Sequence, residues 1–357
     1  MLNQPLQENT AQGLLLGLVL GDALGLPAEG LSARRVRRWY PGRWRQRFLG
    51  AWGMGSDDSE QTWFVTQSLL AQGQDAEAFA RRLGWCLRGW LLGLPAGIGF
   101  ATLRAIVKLW LGFSAQHSGV YSAGNGAAMR VAPIGARFAH AAAQRRAFVR
   151  ASTRLTHTDE RAYHGALAVA EVIAWIVREA PPVAPPADWF CDFLRALAAA
   201  DTEWQGRVDA MALAFEEQRS VAEFAHALSG AHGVSGYVYH SVPVALYAWY
   251  VHFGDFAESL QAVLNCGGDT DTVGAITGAL AGATGGLSGI PPDWLAGYAD
   301  YPRSRGKFLQ LGSRLARAAQ GESVTPLGYF WLALPVRNLL FLMVVLLHGL
   351  RRLLPPY

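Results

Sequence analysis

Along most of the chain, apolar residues recur three and four positions apart, the spacing that gives a helix one buried face. The segment RAYHGALAVAEVIAWIVREA, residues 161–180, keeps this spacing and stops at Pro181 and Pro182, where the chain cannot continue a helix. TQSLLAQG follows an acidic start and closes on Gly73, and DWFCDFLRALAAA and SVPVALYAWYVHF read the same way. No serial run of alternating β-branched residues stands out, and no Asn-Gly pair joins two such runs. The breaks at Leu94–Gly99, Ala180–Pro186 and Gly286–Pro292 are too short for flexible linkers. The pattern predicts one all-α domain of many helices over residues 1–320, followed by an apolar helical extension over residues 321–357.

That extension reads differently from the rest. Its uninterrupted apolar run, Leu339 to Leu347, is shorter than the roughly 20 residues a spanning helix needs. Lengthening it upstream places Pro335, Arg337 and Asn338 in mid-span, where a charge is expensive. A helix packed on the core or on a partner, a membrane-surface anchor and a true span all stay open. Arg351 and Arg352 suit a helix C-terminus or anionic headgroups equally.

Composition narrows the field. The chain has 357 residues, 51% of them hydrophobic, enough for one large core. Net charge is +4 with 16% charged residues, so no long basic stripe marks a nucleic-acid binder. The cluster RRVRRWYPGRWRQR, Arg34 to Arg47, is the local exception; it meets phosphates or is a solvated segment. The three cysteines, Cys86, Cys191 and Cys266, lack zinc or disulfide-framework spacing. A cytoplasmic protein is expected, with no signal peptide in the N-terminal MLNQPLQENTAQG.

Two acidic clusters carry the strongest chemical signal. SDDS, Ser56 to Ser59, and DTDT, Asp269 to Thr272, each stand just ahead of an apolar helix. Helix capping explains one such oxygen, and Asp57 with Glu60 three residues on resembles a capping box. Adjacent aspartates exceed what a cap requires and repel one another. Together Ser56, Asp57, Asp58, Asp269, Asp271 and Thr272 offer four carboxylates and two hydroxyls. This hard-oxygen set suits Mg²⁺ or Mn²⁺, and four negative charges balance two divalent ions, hence a binuclear site.

Two glycine-punctuated stretches add to this. In SAGNGAAMRVAPIG, Gly124 and Gly126 flank Asn125 before a helical run; the loop is a plain turn or a place where backbone approaches a phosphate. In GLVLGDALGLPAEG the only charges are Asp22 and Glu29. Glu29 is a general-base candidate or a simple surface residue, and Asp22 reads as a polar cap.

The pieces GDALGLPAE, GSDDSEQT, SAGNGAAMRVAPIG, THTDERAYHGALA and NCGGDTDTVGAITGALAGATGGLSGIP, in this order, resemble the ADP-ribosylglycohydrolase family over roughly residues 11–315. The resemblance implies an all-α fold with two Mg²⁺ or Mn²⁺ ions in a central cleft, cleaving the glycosidic bond at C1″ of ADP-ribose. It implies the six residues above as metal ligands, Glu29 near the scissile bond, and Glu29, Asp58 and Asp271 as the catalytic set. It also implies Ser122, Gly124 and Asn125 on the loop holding the distal ribose and diphosphate, His157 near the diphosphate, and Gly99 on the phosphate side. Without it, a lone histidine such as His157 reads as structural. Serine stands at positions 56 and 59 where threonine is common, and keeps the hydroxyl. Ala123 stands where some relatives carry an aromatic ring, so adenine stacking must come from elsewhere. The implied partner is an ADP-ribosylated protein, arginine-linked first, or an ADP-ribosylated small molecule. A catalytically altered relative that binds ADP-ribose or blocks a toxin is the rival reading.

Overall fold

The computed structural model describes residues 4–353. The described residues are mostly helical. The first third holds α1 (Glu8–Gly25), α2 (Ala33–Trp39), α3 (Asp57–Gln72), α4 (Ala76–Leu92) and α5 (Phe100–Trp110). The middle holds α6 (Ala132–Arg137), α7 (Ala142–Arg154), α8 (Glu160–Glu179), α9 (Ala187–Leu197), α10 (Thr202–Glu216) and α11 (Val221–Ser229). The remainder holds α12 (Val238–Val251), α13 (Phe256–Leu264), α14 (Thr270–Gly285), α15 (Pro292–Gly297), α16 (Arg305–Ala319) and α17 (Leu334–Arg352). The sequence-predicted all-α class is the observed one. Among the described residues the named strands are β1 (Leu31–Ser32) and β2 (Gly267–Gly268), paired antiparallel.

The centre is the pair α1 and α14. Both are buried on nearly every side, which is why neither shows a polar face. They cross with their backbones in contact. A methyl group at Gly13, Gly17 or Gly21 would overlap the carbonyl oxygen of Gly282, Gly278 or Gly274 respectively. Glycine at every fourth position on both helices is therefore a steric demand of the packing. Helices α16, α12, α13, α8 and α3 surround this pair.

Two consequences place the functional groups. The crossing sets Asp22, near the end of α1, beside the start of α14. The β1–β2 clip, with the Gly30 N–H donating to the Gly268 carbonyl at 2.7 Å, ties the segment after Glu29 to the segment before Asp269.

The segment after α16 folds back over α3. The Gln67 amide donates to the Leu327 carbonyl at 2.7 Å and accepts from the Leu327 N–H at 2.9 Å. The Trp331 ring stacks on Phe64 with centroids 5.6 Å apart. Helix α17 buries Leu334, Arg337, Asn338, Phe341 and Val344 against the domain. Arg337, the costly charge of the sequence reading, pairs with Glu60 at 3.0 Å and Asp300 at 2.8 Å. Arg303 pairs with the same Glu60 carboxylate oxygen.

Replacing Gly278 with Ala should destabilise the protein by roughly 1–3 kcal/mol through overpacking. Gly285→Ala, at a position with nothing within 4 Å, should leave the melting temperature unchanged or raise it slightly. Equal melting temperatures for both variants and the parent would remove the steric role of the crossing.

Candidate active site

The two acidic clusters meet. Ser56 is the N-cap of α3, its hydroxyl accepting from the Asp58 N–H at 3.3 Å. The cap is thus Ser56 and not Asp57, and Glu60 takes no part in a capping box; it is buried in the arginine network. At the start of α14, Asp269 occupies the cap position without any side-chain cap bond. Its carboxylate instead accepts from the Asn125 amide at 2.6 Å. Thr272 donates through its hydroxyl to Asp58 at 3.3 Å, and Ser56 does so at 3.1 Å. Asp271 accepts from the Thr272 N–H at 2.9 Å.

Asp22 joins them. Carboxylate oxygens of Asp22, Asp58 and Asp271, all buried, lie within 4.8 Å of one another and form a cluster able to chelate metal ions. The sequence reading missed Asp22 and took it for a local cap. It does cap, but on another helix: it accepts from the Ser56 N–H at 2.8 Å and from the Ser59 N–H at 3.1 Å. The signal was present in its position, an isolated charge in a helix of apolar and small residues.

The donor set fits a divalent cation. Asp58 Oδ1 is buried and has no hydrogen-bond partner, and an unsatisfied buried carboxylate oxygen is costly unless something positive meets it. Burial first, and then Asp57, holds the Asp58 carboxyl well above its ordinary range. Burial, then Glu29 and Asp269, does the same to Asp271. Burial pushes Asp22 up to about 6 against the hydrogen bonds from Ser59 and Ser56. All these causes penalise negative charge, and a cation among the oxygens removes them.

Above this floor lies a cavity of about 610 Å³. Its lining includes Glu29, Asp57, Asp269, Asp271 and Thr272, together with Gly99, Ser122, Gly124, Asn125 and His157. Ser56 and Asp58 sit beneath it, reached through Thr272 and Asp271. The structure thus brings every sequence-predicted site residue to one cleft and its floor.

Glu29 stands at the mouth, its carboxyl pushed up to about 7 by desolvation and then by Asp269, with Arg352 opposing. His157 packs against the glycine loop; a Cβ on Gly126 would approach its ring to 3.0 Å. Burial, with Arg130 adding to it, pulls His157 down to about 3, so the ring is neutral at physiological pH. The Thr156 hydroxyl accepts from Arg130 at 2.7 Å and lies 2.8 Å from His157 Nδ1. This contact engages Nδ1, while Nε2 lies beside Gly124. Phe100, exposed at the lip of the same cavity, is a further lining residue that the sequence reading passed over.

An all-α domain carrying a buried carboxylate cluster under a polar cleft defines a class that comparison with known proteins makes specific. Residues 3–324 match the model of the ADP-ribosylglycohydrolase family, and the chain belongs to that family. It is 28% identical over 309 residues to the ADP-ribosyl-(dinitrogen reductase) glycohydrolase of Rhodospirillum rubrum, covering 82% of this chain and 91% of that protein. It is 27% identical over 294 residues to the ADP-ribosylarginine hydrolase Tri1 of Pseudomonas putida, covering 80% and 73%. A solved structure described as an ADP-ribosylglycohydrolase-related protein complex superposes with a TM-score of 0.65 at 28% identity, covering 87% of this chain and 98% of that one. ADP-ribosylhydrolase activity on an ADP-ribosylated protein or small molecule is what the family shares. Helix α17 lies beyond the matched residues.

The raised carboxyls give the metal-free protein a pH signature. A group whose pKa is higher folded than unfolded stabilises fully below its unfolded value, about 4 for a carboxyl, and loses that contribution as pH rises through its folded value. With Asp22 at about 6 and Glu29 at about 7, chelator-treated protein should lose stability as pH climbs from about 4 past 7. Mg²⁺ or Mn²⁺ should restore it. Thermal melts across this range check both, and a flat profile in chelator would contradict the electrostatics described.

Proposed function

We propose that the protein is a metal-dependent hydrolase that releases ADP-ribose from a mono-ADP-ribosylated target by cleaving the glycosidic bond at C1″, with arginine-linked ADP-ribose as its first substrate. The observation that carries this reading is the joining of two chemistries in one cleft: clustered buried carboxylates on the floor, and a neutral imidazole beside a glycine loop on the wall. Family membership supports the reaction class. Similarity to an ADP-ribosylarginine hydrolase supports the linkage, as do Glu29 and Asp57 in the lining, whose carboxylates suit a guanidinium leaving group. Three free thiols support a cytoplasmic setting.

Asp22, Ser56, Asp57, Asp58, Asp269, Asp271 and Thr272 would hold two Mg²⁺ or Mn²⁺ ions. Bound there, the ions would supply Lewis-acid stabilisation of the vicinal hydroxyls of the distal ribose as charge develops at C1″. The rest falls to the chain. Asn125 fixes the Asp269 carboxylate through its 2.6 Å bond. With its proton on Nε2, the neutral His157 ring donates to a diphosphate oxygen and keeps this role unchanged across physiological pH. Gly99, Ser122 and Gly124 line the approach to it without side-chain bulk. Glu29, at the mouth beside Asp269, takes the proton of the water that attacks the oxocarbenium-like carbon as the C1″–N bond breaks, and that proton leaves with the departing guanidine as guanidinium. Phe100 supplies the stacking surface for adenine that Ala123 lacks.

Release of free ADP-ribose from ADP-ribosylated arginine, with Mg²⁺, with Mn²⁺ and with chelator, tests the reading. Asp271→Ala should abolish metal binding and turnover together. Glu29→Gln should spare metal binding and lower kcat by about 10²-fold or more; full activity of this variant on arginine, serine and acetyl-ester linkages would take Glu29 out of the mechanism. No release from any linkage, with no metal binding by titration, would leave an ADP-ribose-binding scaffold.

Stacking is separable from chemistry. Phe100→Ala should raise KM roughly tenfold, the cost of losing about 1–2 kcal/mol of ring contact, with kcat little changed. An equal fall in kcat at unchanged KM would move Phe100 out of the adenine subsite.

A further inference from the structure

Helix α17 has two faces. The inner one is polar at intervals and stapled to the domain: Arg337 to Glu60 and Asp300, the Asn338 amide to the Gly93 carbonyl at 2.6 Å, His348 Nε2 to the Phe48 carbonyl at 2.8 Å, and Arg352 to the Pro27 carbonyl at 3.0 Å. The outer one is hydrocarbon. Val336, Leu339, Met343, Leu347 and Leu350 follow each other at three- and four-residue spacing with Leu346 beside them, and Leu339 is 62%, Leu346 57% and Leu350 60% exposed. At its N-terminal end the stripe runs into an apolar hollow of about 780 Å³ shared with Leu49, Trp52, Tyr301 and Phe330.

Charge gathers at the other end. Arg351 stacks on the Trp39 ring of α2, and Arg35 of α2 donates to the Arg352 carbonyl. The arginines of RRVRRWYPGRWRQR therefore border the C-terminus of α17. Neither that segment nor residues 325–357 contains an acidic residue.

We propose that this face docks the protein flat on an anionic lipid surface. The outer leucines would enter the acyl boundary, the aromatic residues around the hollow would lie at headgroup level, and the exposed α2 arginines with Arg351 would meet lipid phosphates. Hydrocarbon along the helix and positive charge at its end complement an anionic bilayer, and the leucine stripe presents no side-chain hydrogen-bonding group by which to orient a protein partner. A span is disfavoured by the inner face. Withdrawing α17 from the domain would strip Glu60 and Asp300 of the buried Arg337 and expose its staples to lipid. Docking sets an orientation. Because Arg352 holds the Pro27 carbonyl, two residues before Glu29, the mouth of the cleft opens beside the charged end of the lipid-facing edge. The inference is independent of the chemistry in the cleft, since binding is read without turnover.

The test is sedimentation of the full chain, with Mg²⁺, on phosphatidylcholine vesicles with and without phosphatidylglycerol. Recovery with the mixed vesicles, weakening as salt is raised, is the expected result. Leu339→Asp with Leu346→Asp should cut partitioning at least about tenfold while helical circular dichroism and hydrolysis of a soluble substrate stay unchanged. Arg34→Gln with Arg38→Gln should weaken binding on the anionic vesicles alone. Absence of vesicle binding overturns the proposal. So does a dimer, seen by analytical ultracentrifugation, that the Leu339→Asp, Leu346→Asp variant dissociates, because a second copy would then cover the face. Recovery that resists alkaline carbonate would overturn the peripheral geometry in favour of insertion.

Discussion

Backbone contact between α1 and α14 is the constraint on which the rest of the molecule depends. Two helices separated by most of the sequence approach so closely that carbonyl oxygens of one lie where side chains of the other would start. Only glycine permits it, and only at a repeat of four. The gain is positional. The crossing brings Asp22 from one helix and Asp271 from the other within reach of the same ion, and the start of α3 is drawn in because Asp22 supplies acceptors for its N–H groups. Three helices are thus indexed to one point by hard steric contact and directional hydrogen bonds, the kind of rigid support that a metal-binding cluster requires.

Gathering carboxylates in a buried place is expensive, and the fold meets the cost with donors placed in a second ring. Ser56 and Ser59 serve Asp22, Asn125 serves Asp269, and Thr272 serves Asp58 and Asp271. Glu60, one turn along from the acidic pair on α3, is neutralised by Arg303 and Arg337. Arg337 also donates to the Gly55 carbonyl, immediately before the Ser56 cap. Residues beyond the family-matched region therefore brace the floor of the cleft, so α17 is part of the site's support as well as a surface.

How much of this the sequence disclosed follows from the range of each interaction. The acidic clusters were legible because both lie at helix starts, where a cap explains one oxygen and leaves the others conspicuous. The glycine loop stayed open between a plain turn and a ligand-facing backbone on spacing alone, and only the family resemblance singled out Ser122, Gly124 and Asn125. Asp22 was not, since its role exists only once α1 has crossed α14 and met α3. Phe100 looked like any aromatic residue opening a helix; that it reaches the cleft depends on how α5 is placed. Arg337 read as a fault in an apolar segment, because its partners Glu60 and Asp300 are distant in sequence. The two faces of α17 were visible as a composition, hydrocarbon with a few polar positions, yet which side those positions took was a matter of packing.

The order in which the chain is made gives the α1–α14 contact a further meaning. Helix α1 is long, largely apolar and buried along most of its length, yet its partner is encoded roughly 250 residues later. At about 5–20 residues per second, α1 waits for roughly 10–50 s before α14 is synthesised. During that interval its apolar surface has no partner from α14. The glycine repeat that makes the finished fold so close-fitting is then also a delayed commitment: α1 is made long before α14 and takes its final place only when α14 arrives.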